Sequence, residues 1–228
     1  EFDDACSPFQ FALSTRAGTD CVGHGLRELT NQYPDKVVAS LDGISAYDHI
    51  DRAQMLESLV KLPNASSLLP FVAMFYGHTS EYYWTDADGE VWSIDQGDGG
   101  EQGDPLMPAL FALGQHPALV AAEEKLAILN FDECSIAENF FTPLLFAFLD
   151  DLYVVCNREI ARKAFDIVTA EVASIAGIRT NLGKLQLYSK AGGPCPPGFE
   201  DFQALRGVEE QPIWTCDAHE IFFFFRDQ

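Results

Sequence analysis

Basic residues are scarce in this chain. Fourteen Lys and Arg stand against 35 Asp and Glu, so the formal charge is 14 − 35 = −21. A surface that grips polyanions needs clustered cations to neutralise phosphates, and this chain is poor in them. No apolar run reaches the length of a membrane-spanning helix, and Glu1-Phe2-Asp3-Asp4 lacks the basic and apolar parts of a signal peptide. The six Cys, at 6, 21, 134, 156, 195 and 216, form no CxxC pair. That argues for reduced thiols rather than a zinc site or a disulfide frame. The expected location is intracellular, nucleus or cytoplasm, with no membrane attachment. There is no internal repeat, and the Gly-rich stretch near residue 100 lacks the Lys of a P-loop.

What is present is enough for a core. Hydrophobic residues make up 47% of the 228, including 18 Phe, which suits one substantial domain or one domain with a small appendage. The chain is organised around Leu144-Leu145-Phe146-Ala147-Phe148-Leu149-Asp150-Asp151-Leu152-Tyr153-Val154-Val155. Two short aromatic and aliphatic runs flank a pair of aspartates, which predicts a tight β-hairpin with both carboxylates at its tip. A tip built only for turning favours Asn-Gly or Asp-Gly. Adjacent carboxylates repel unless something positive sits between them, so the pair reads either as a divalent-metal site or as a solvated turn.

Other segments frame this hairpin. Thr19 or Asp20 is expected to cap a helix running to about Gln32. Val37 to Leu41 reads as a strand, with Asp42 at its end and Gly43 after it. Met55, Leu56, Leu59 and Val60 recur at helical spacing over 51–61, and 66–77 reads as a second apolar helix. Two aromatic strands flank Asp88-Gly89, a hairpin signal. The stretch from Gln96 to Pro105 then leads into a helix expected over Leu106 to about Lys125, and a Gly-rich loop at a helix N-terminus suits anions. Residues 128–143 read as an acidic loop. Arg158 to Ala176 reads as a helix stopped by Gly177, and 178–188 as strand–turn–strand. Gly192 to Gly198 is a breaker cluster, and Ile221 to Phe225 is a buried strand or a sticky tail.

In order, these motifs resemble the palm of reverse transcriptases, in particular those of non-LTR (LINE-like) retrotransposons and group II introns. The resemblance covers roughly residues 8–190. Pro8-Phe9-Gln10 through Thr19-Asp20 is similar to the fingers segment before the palm. Asp42-Gly43-Ile44-Ser45-Ala46-Tyr47-Asp48 resembles the first palm motif, an aspartate followed five positions later by an aromatic. Gly100-Glu101-Gln102-Gly103-Asp104-Pro105-Leu106-Met107-Pro108 resembles the second, Phe148-Leu149-Asp150-Asp151 the third, and Gly177-Ile178 with Asn181 and Lys184 the fourth.

The resemblance implies an α+β fold: a polymerase palm, its antiparallel sheet packed on helices, with a partial fingers segment and no thumb. The implied division is 1–35 for the fingers segment, 36–190 for the palm-like catalytic domain and 191–228 for a tail of unclear role. It implies RNA-directed DNA polymerase activity, with an RNA template, a DNA primer and deoxynucleoside triphosphates as partners. Two Mg²⁺, with Mn²⁺ as a substitute, suit such chemistry because paired dications clamp the attacking and leaving oxygens of phosphoryl transfer and prefer hard oxygen ligands. Asp42, Asp150 and Asp151 are the implied ligands, joined by the carbonyl of Gly43. Tyr47 would lie under the incoming sugar, Gln102 and Gly103 would line the nucleotide and template side, Lys184 would stabilise or protonate pyrophosphate, and Arg16 would contact phosphate.

The sequence also departs from that pattern. Leu149 stands where a small residue usually precedes the paired aspartates, Glu101 where a phosphate-friendly residue is common, and Met107 replaces a usual Ser. These departures, with the net charge, favour a second reading: a catalytically decayed or domesticated reverse-transcriptase-like domain acting as a remnant or interaction module. A third, an unrelated acidic α/β domain binding Ca²⁺ or Mg²⁺, requires Asp42 and Asp150 to lie far apart.

Overall fold

The computed structural model describes residues 1–134, 141–205 and 212–217. The helices are α1 (Phe2–Ala5), α2 (Gly18–Gln32), α3 (Ala46–His49), α4 (Arg52–Val60), α5 (Leu69–Tyr76), α6 (Met107–Cys134), α7 (Ala161–Ala176) and α8 (Glu200–Leu205). The strands are β1 (Val37–Leu41), β2 (Ser80–Thr85), β3 (Val91–Gln96), β4 (Leu144–Phe148), β5 (Asp151–Cys156), β6 (Gln186–Tyr188) and β7 (Trp214–Thr215). Five strands form one sheet in the order β4-β5-β1-β6-β7, and β2 and β3 form a separate hairpin. Every pairing in the large sheet is antiparallel except β6 with β7. The fold is therefore α+β, a sheet packed on helices.

Strand alternation sorts the side chains onto two faces. Val37, Ala39 and Leu41 of β1, with Leu152, Val154 and Cys156 of β5, join the main core against α4, α6 and α7. Val38, Tyr153, Val155 and Tyr188 point the other way and meet Val22 and Leu26 of α2. The main face is thus wholly covered, and the second face is covered by α2. Ser40 and Asp42 alternate with Val38, and Asp151 with Tyr153, so both aspartates belong to the second face. Among the described residues, no helix is long and apolar enough to cross a membrane.

Several local expectations are revised. The hairpin tip is Leu149-Asp150, because Asp151 already pairs with Phe148 in the ladder. Leu149 takes the left-handed position, φ 54°, where a glycine would be favoured. Helix α2 is capped by neither Thr19 nor Asp20: its N-cap is Ala17, φ 53°, without a side-chain hydrogen bond. Gly18 follows because a Cβ there would lie 2.0 Å from the Phe11 carbonyl oxygen. Helix α6 continues past Lys125, since Leu126 and Leu129 keep its apolar stripe on the core after Leu119 and Ala122; the first part of the expected 128–143 loop is helix. Residues 178–188 hold one strand rather than two. Leu182–Lys184 is a 3₁₀ turn, capped by Asn181 Oδ1 accepting from Gly183 N. Ile221 to Phe225 lies outside the described residues.

Beyond residue 190 the chain returns to the sheet. β7 pairs with β6, Trp214 Nε1 donates to the Gly193 carbonyl at 3.0 Å, and Arg158 binds the carbonyls of Gly192 and Pro194. At the other edge, Phe9–Phe11 lies alongside β4. Phe11 N donates to Ala147 O at 2.9 Å, and Ala147 N to Phe9 O at 2.8 Å.

Candidate functional site

Three chain segments distant in sequence converge at one end of β1 and β5. The register Leu41↔Leu152 places Asp42 and Asp151 just beyond the ladder on adjacent strands. The fourth motif folds across this end: Asn181 N donates to Asp42 O, and Ile44 N to Arg179 O, each at 2.8 Å, with Gly43 bridged to Thr180. Gly43 is needed there, because a Cβ would come within 2.8 Å of both Ala46 Cβ and Ile178 Cγ2. This clasp carries Lys184 to the carboxylates, with its Nζ 3.1 Å from Asp42 Oδ2.

The electrostatics follow from that crowding. Asp151 is pushed up to about 6, first by burial, then by the charges of Asp150 and Asp42, with Lys184 opposing. Asp150 is also raised, mainly by burial, with Asp42 adding to it. Burial and then Asp150 push Tyr47 up to about 12. Tyr47 is half-buried and stacks on Phe111, ring centroids 4.7 Å apart and 6° between planes. Tyr153, cross-strand from Ser40, is raised above the ordinary tyrosine range by burial and by Asp151.

A cavity of about 10 Å³ lies beneath, lined by Asp42, Gly43, Asp150, Thr180 and, from α6, Gln115. That is room for about one water. Asp42 Oδ2 and Gln115 Oε1 are both buried acceptors without a hydrogen-bond donor, the Lys184 contact being an ion pair without hydrogen-bond geometry. Two unsatisfied acceptors and three crowded carboxylates suit a hard cation. As the side chains stand, however, no three His, Cys, Asp or Glu groups among the described residues form a metal-holding cluster. Lys184 provides the offsetting charge at Asp42.

Asp42, Gly43, Tyr47, Asp150, Asp151 and Lys184 are thus brought together. Arg16 is exposed on the loop before α2, and its carbonyl accepts from Cys21 Sγ. The neighbouring Gly18 packs against Phe148. Gln102 and Gly103 are also exposed. Their loop is nevertheless fastened to the first motif: Gly99 N donates to Ile50 O and Gly100 N to Tyr47 O, each at 2.8 Å. Gly99 has φ 73°, and a Cβ there would lie 2.2 Å from Asp48 O.

Three further residues support the site. Gln10 is buried, and its Oε1 accepts from Leu149 N at 2.8 Å and Ala12 N at 3.2 Å, holding the strained hairpin tip. Arg52, 4% exposed, donates from Nε to Gly99 O and from Nη1 to His78 O, at 2.7 and 2.8 Å, fixing the Gly-rich loop. Gln115 forms the cavity wall. No local pattern marks Gln10 or Gln115; Arg52 follows a helix cap, Asp51, and reads as surface by sequence.

The fold is shared with solved telomerases. Apo telomerase from Candida tropicalis, truncated from its C-terminal domain, matches with a TM-score of 0.57 and 12% identity, over 84% of this chain and 39% of that one. Telomerase from Candida albicans in complex with a TWJ fragment of telomeric RNA matches at 0.55 and 13%, over 81% and 32%. The C. tropicalis enzyme with the same kind of fragment also matches at 0.55 and 13%, over 81% and 30%. Telomerase is a reverse transcriptase, so this chain has a reverse-transcriptase-like fold. It spans between 30% and 39% of those proteins' length. No sequence-family model and no curated protein matches it.

Proposed function

We propose that this chain is the palm, with part of the fingers, of an RNA-directed DNA polymerase of the non-LTR retrotransposon or group II intron type, adding deoxynucleotides to a primer end on an RNA template. One observation carries the proposal. Asp42, Asp150 and Asp151 meet at one sheet end, close enough for each neighbour's charge to resist ionisation of Asp151. Crowding carboxylates raises free energy, and a bound dication relieves it. Two Mg²⁺, held by Asp42, Asp150, Asp151 and the Gly43 carbonyl, would supply charge stabilisation on the transferring phosphoryl group. The telomerases with the same fold include ones bound to a telomeric RNA fragment, which supports an RNA template here.

The chain's own residues divide the remaining work. Asp42 and Asp150 orient oxygens from a rigid sheet end. Tyr47, clamped flat against Phe111, presents a fixed surface that bars a 2′-hydroxyl by bulk. Lys184, its Nζ 3.1 Å from Asp42, would be the cation that stabilises or protonates the pyrophosphate leaving group. Gln102, Gly103 and Arg16, all exposed, meet template and triphosphate. The test is primer extension on an RNA template with Mg²⁺, comparing this chain with Asp150→Asn. Incorporation by the parent and none by the variant is the expected result; equal signals overturn catalysis.

The second reading, a non-catalytic reverse-transcriptase-like module, is favoured by a specific observation. Lys184 already sits at Asp42, and the three carboxylates form no metal-holding cluster in this arrangement. A salt-dependent affinity for template–primer, the mark of phosphate contact, separates the two, since the module predicts none.

A further inference from the structure

The β2–β3 hairpin exposes an apolar stripe that the site does not use. By register, Tyr82, Trp84, Trp92 and Ile94 share one face, and each is well exposed, Trp84 at 57% and Ile94 at 55%. Tyr82 continues into a groove of about 470 Å³ between the hairpin, α5 and the start of α6, where Phe71 and Phe75 form a ring pair 4.9 Å apart. Both Phe are about half exposed. Aromatic surface of this extent on a soluble face marks an interaction site.

Charge decides the occupant. No Lys or Arg occurs from 62 to 124, and eight acidic residues fall from Glu81 to Asp104 inclusive. Glu101 and Asp104 line the groove, and Glu81 and Asp95 are exposed on the hairpin's reverse face. Arg52 lies behind the groove, buried and bound to main-chain carbonyls, so it offers no surface charge. Aromatics alone would also suit stacked bases, but stacking platforms for single strands are paired with a cationic track for the backbone. Here the charged residues lining the groove are Glu101 and Asp104, and the stretch of chain that builds this face carries no Lys or Arg. We propose that this face docks a basic segment of a partner protein, its apolar side chains in the groove and on the stripe, and its Lys or Arg side chains over the acidic rim and aromatic faces.

The test uses three fluorescent probes read by anisotropy: a Lys-Leu-Phe dodecapeptide, the same peptide with Glu for Lys, and a twelve-residue oligouridylate. The basic peptide is expected to bind with salt-sensitive affinity, and the other two not to bind. Two variants separate the contributions without touching the core: Tyr82→Ser with Trp84→Thr and Ile94→Thr on the stripe, and Glu101→Gln on the acidic rim of the groove. Each is expected to weaken the basic peptide by about tenfold or more. Unchanged binding by the stripe variant would reduce the effect to nonspecific attraction by an acidic chain and overturn the proposal. Preference for the oligouridylate, absence of peptide binding, or self-association lost in the stripe variant would also overturn it.

Discussion

Among the described residues two antiparallel hairpins carry acidic turns, and they behave in opposite ways. In β4–β5 the turn is half-buried, its carboxyls are partly dehydrated and crowded, and Asp151 rises to about 6. In β2–β3 the turn stands in water, and Asp86 falls below its ordinary value because Trp92 Nε1 and the backbone N–H groups of the turn donate to it. The turns differ in backbone as well. Gly89, φ 84°, meets nothing within 4 Å of a would-be Cβ, while Leu149 holds φ 54° against its preference under the grip of Gln10. One hairpin uses packing to hold like charges together. The other spreads them over an open surface. Nearly the same vocabulary of strand, acid and turn yields a candidate reaction centre in one place and a candidate docking face in the other.

The comparison can be broken in several ways, beginning with the largest effect. Asp42→Asn is expected to lower primer extension by on the order of 10³-fold, whereas Asp86→Asn leaves it within about twofold of the parent; steady-state incorporation rates measure both. Next is backbone. Gly99→Ala forces a left-handed alanine into the Asp48 carbonyl and is expected to cost about 3 kcal/mol or more. Gly89→Ala carries the conformational cost alone, about 1–2 kcal/mol. Urea unfolding of the two variants gives the difference directly.

The pH dependence should have opposite signs. Asp151 is raised when folded, so between about pH 4 and 6 the unfolded chain ionises first and stability falls as pH rises. The penalty is absent below about pH 4 and complete above about pH 6. Asp151→Asn, in chelator, should therefore be the more stable protein at pH 7, by about 1–3 kcal/mol, and no more stable at pH 3.5. Asp86 has a lowered value, so its contribution is present above the unfolded value and lost as pH falls through the folded one. Thermal melts at both pH values check the signs. If the proposed metal site holds, Mg²⁺ raises the melting temperature of the parent at pH 7 but not that of Asp150→Asn. The smallest effect is at Lys184, whose side chain is half exposed: Lys184→Met should change stability by less than about 1 kcal/mol.

Much of the sheet was legible because the short β-branched, aromatic and aliphatic runs in Val37–Leu41 and Leu144–Val155 are a local signal. The ordering of Asp42, the Gly-rich loop and the Asp150-Asp151 pair anticipated which segments converge. The Gln10 contact to Leu149 spans 139 positions, and no window of sequence encodes it. The same holds for Arg52 reaching Gly99, 47 positions away. The turn was misplaced by one residue because a leucine in a left-handed conformation contradicts turn statistics, and only the surrounding contacts make it tolerable. Helix α6 outran its expected end because its buried stripe outweighed an acidic composition.

The strand-like tract Phe9–Phe11 has a consequence for how the chain is made. It seals the free margin of β4, a place where a bare row of amides would recruit other chains, yet its partner Ala147 is synthesised more than a hundred residues later. During translation Phe9–Phe11 must wait undocked until Ala147 has left the ribosome, and closing that gap is slow relative to local structure. The tract is a latch closed by a distant partner, so breaking its pairing with Ala147 should show itself first as clumping of newly made protein.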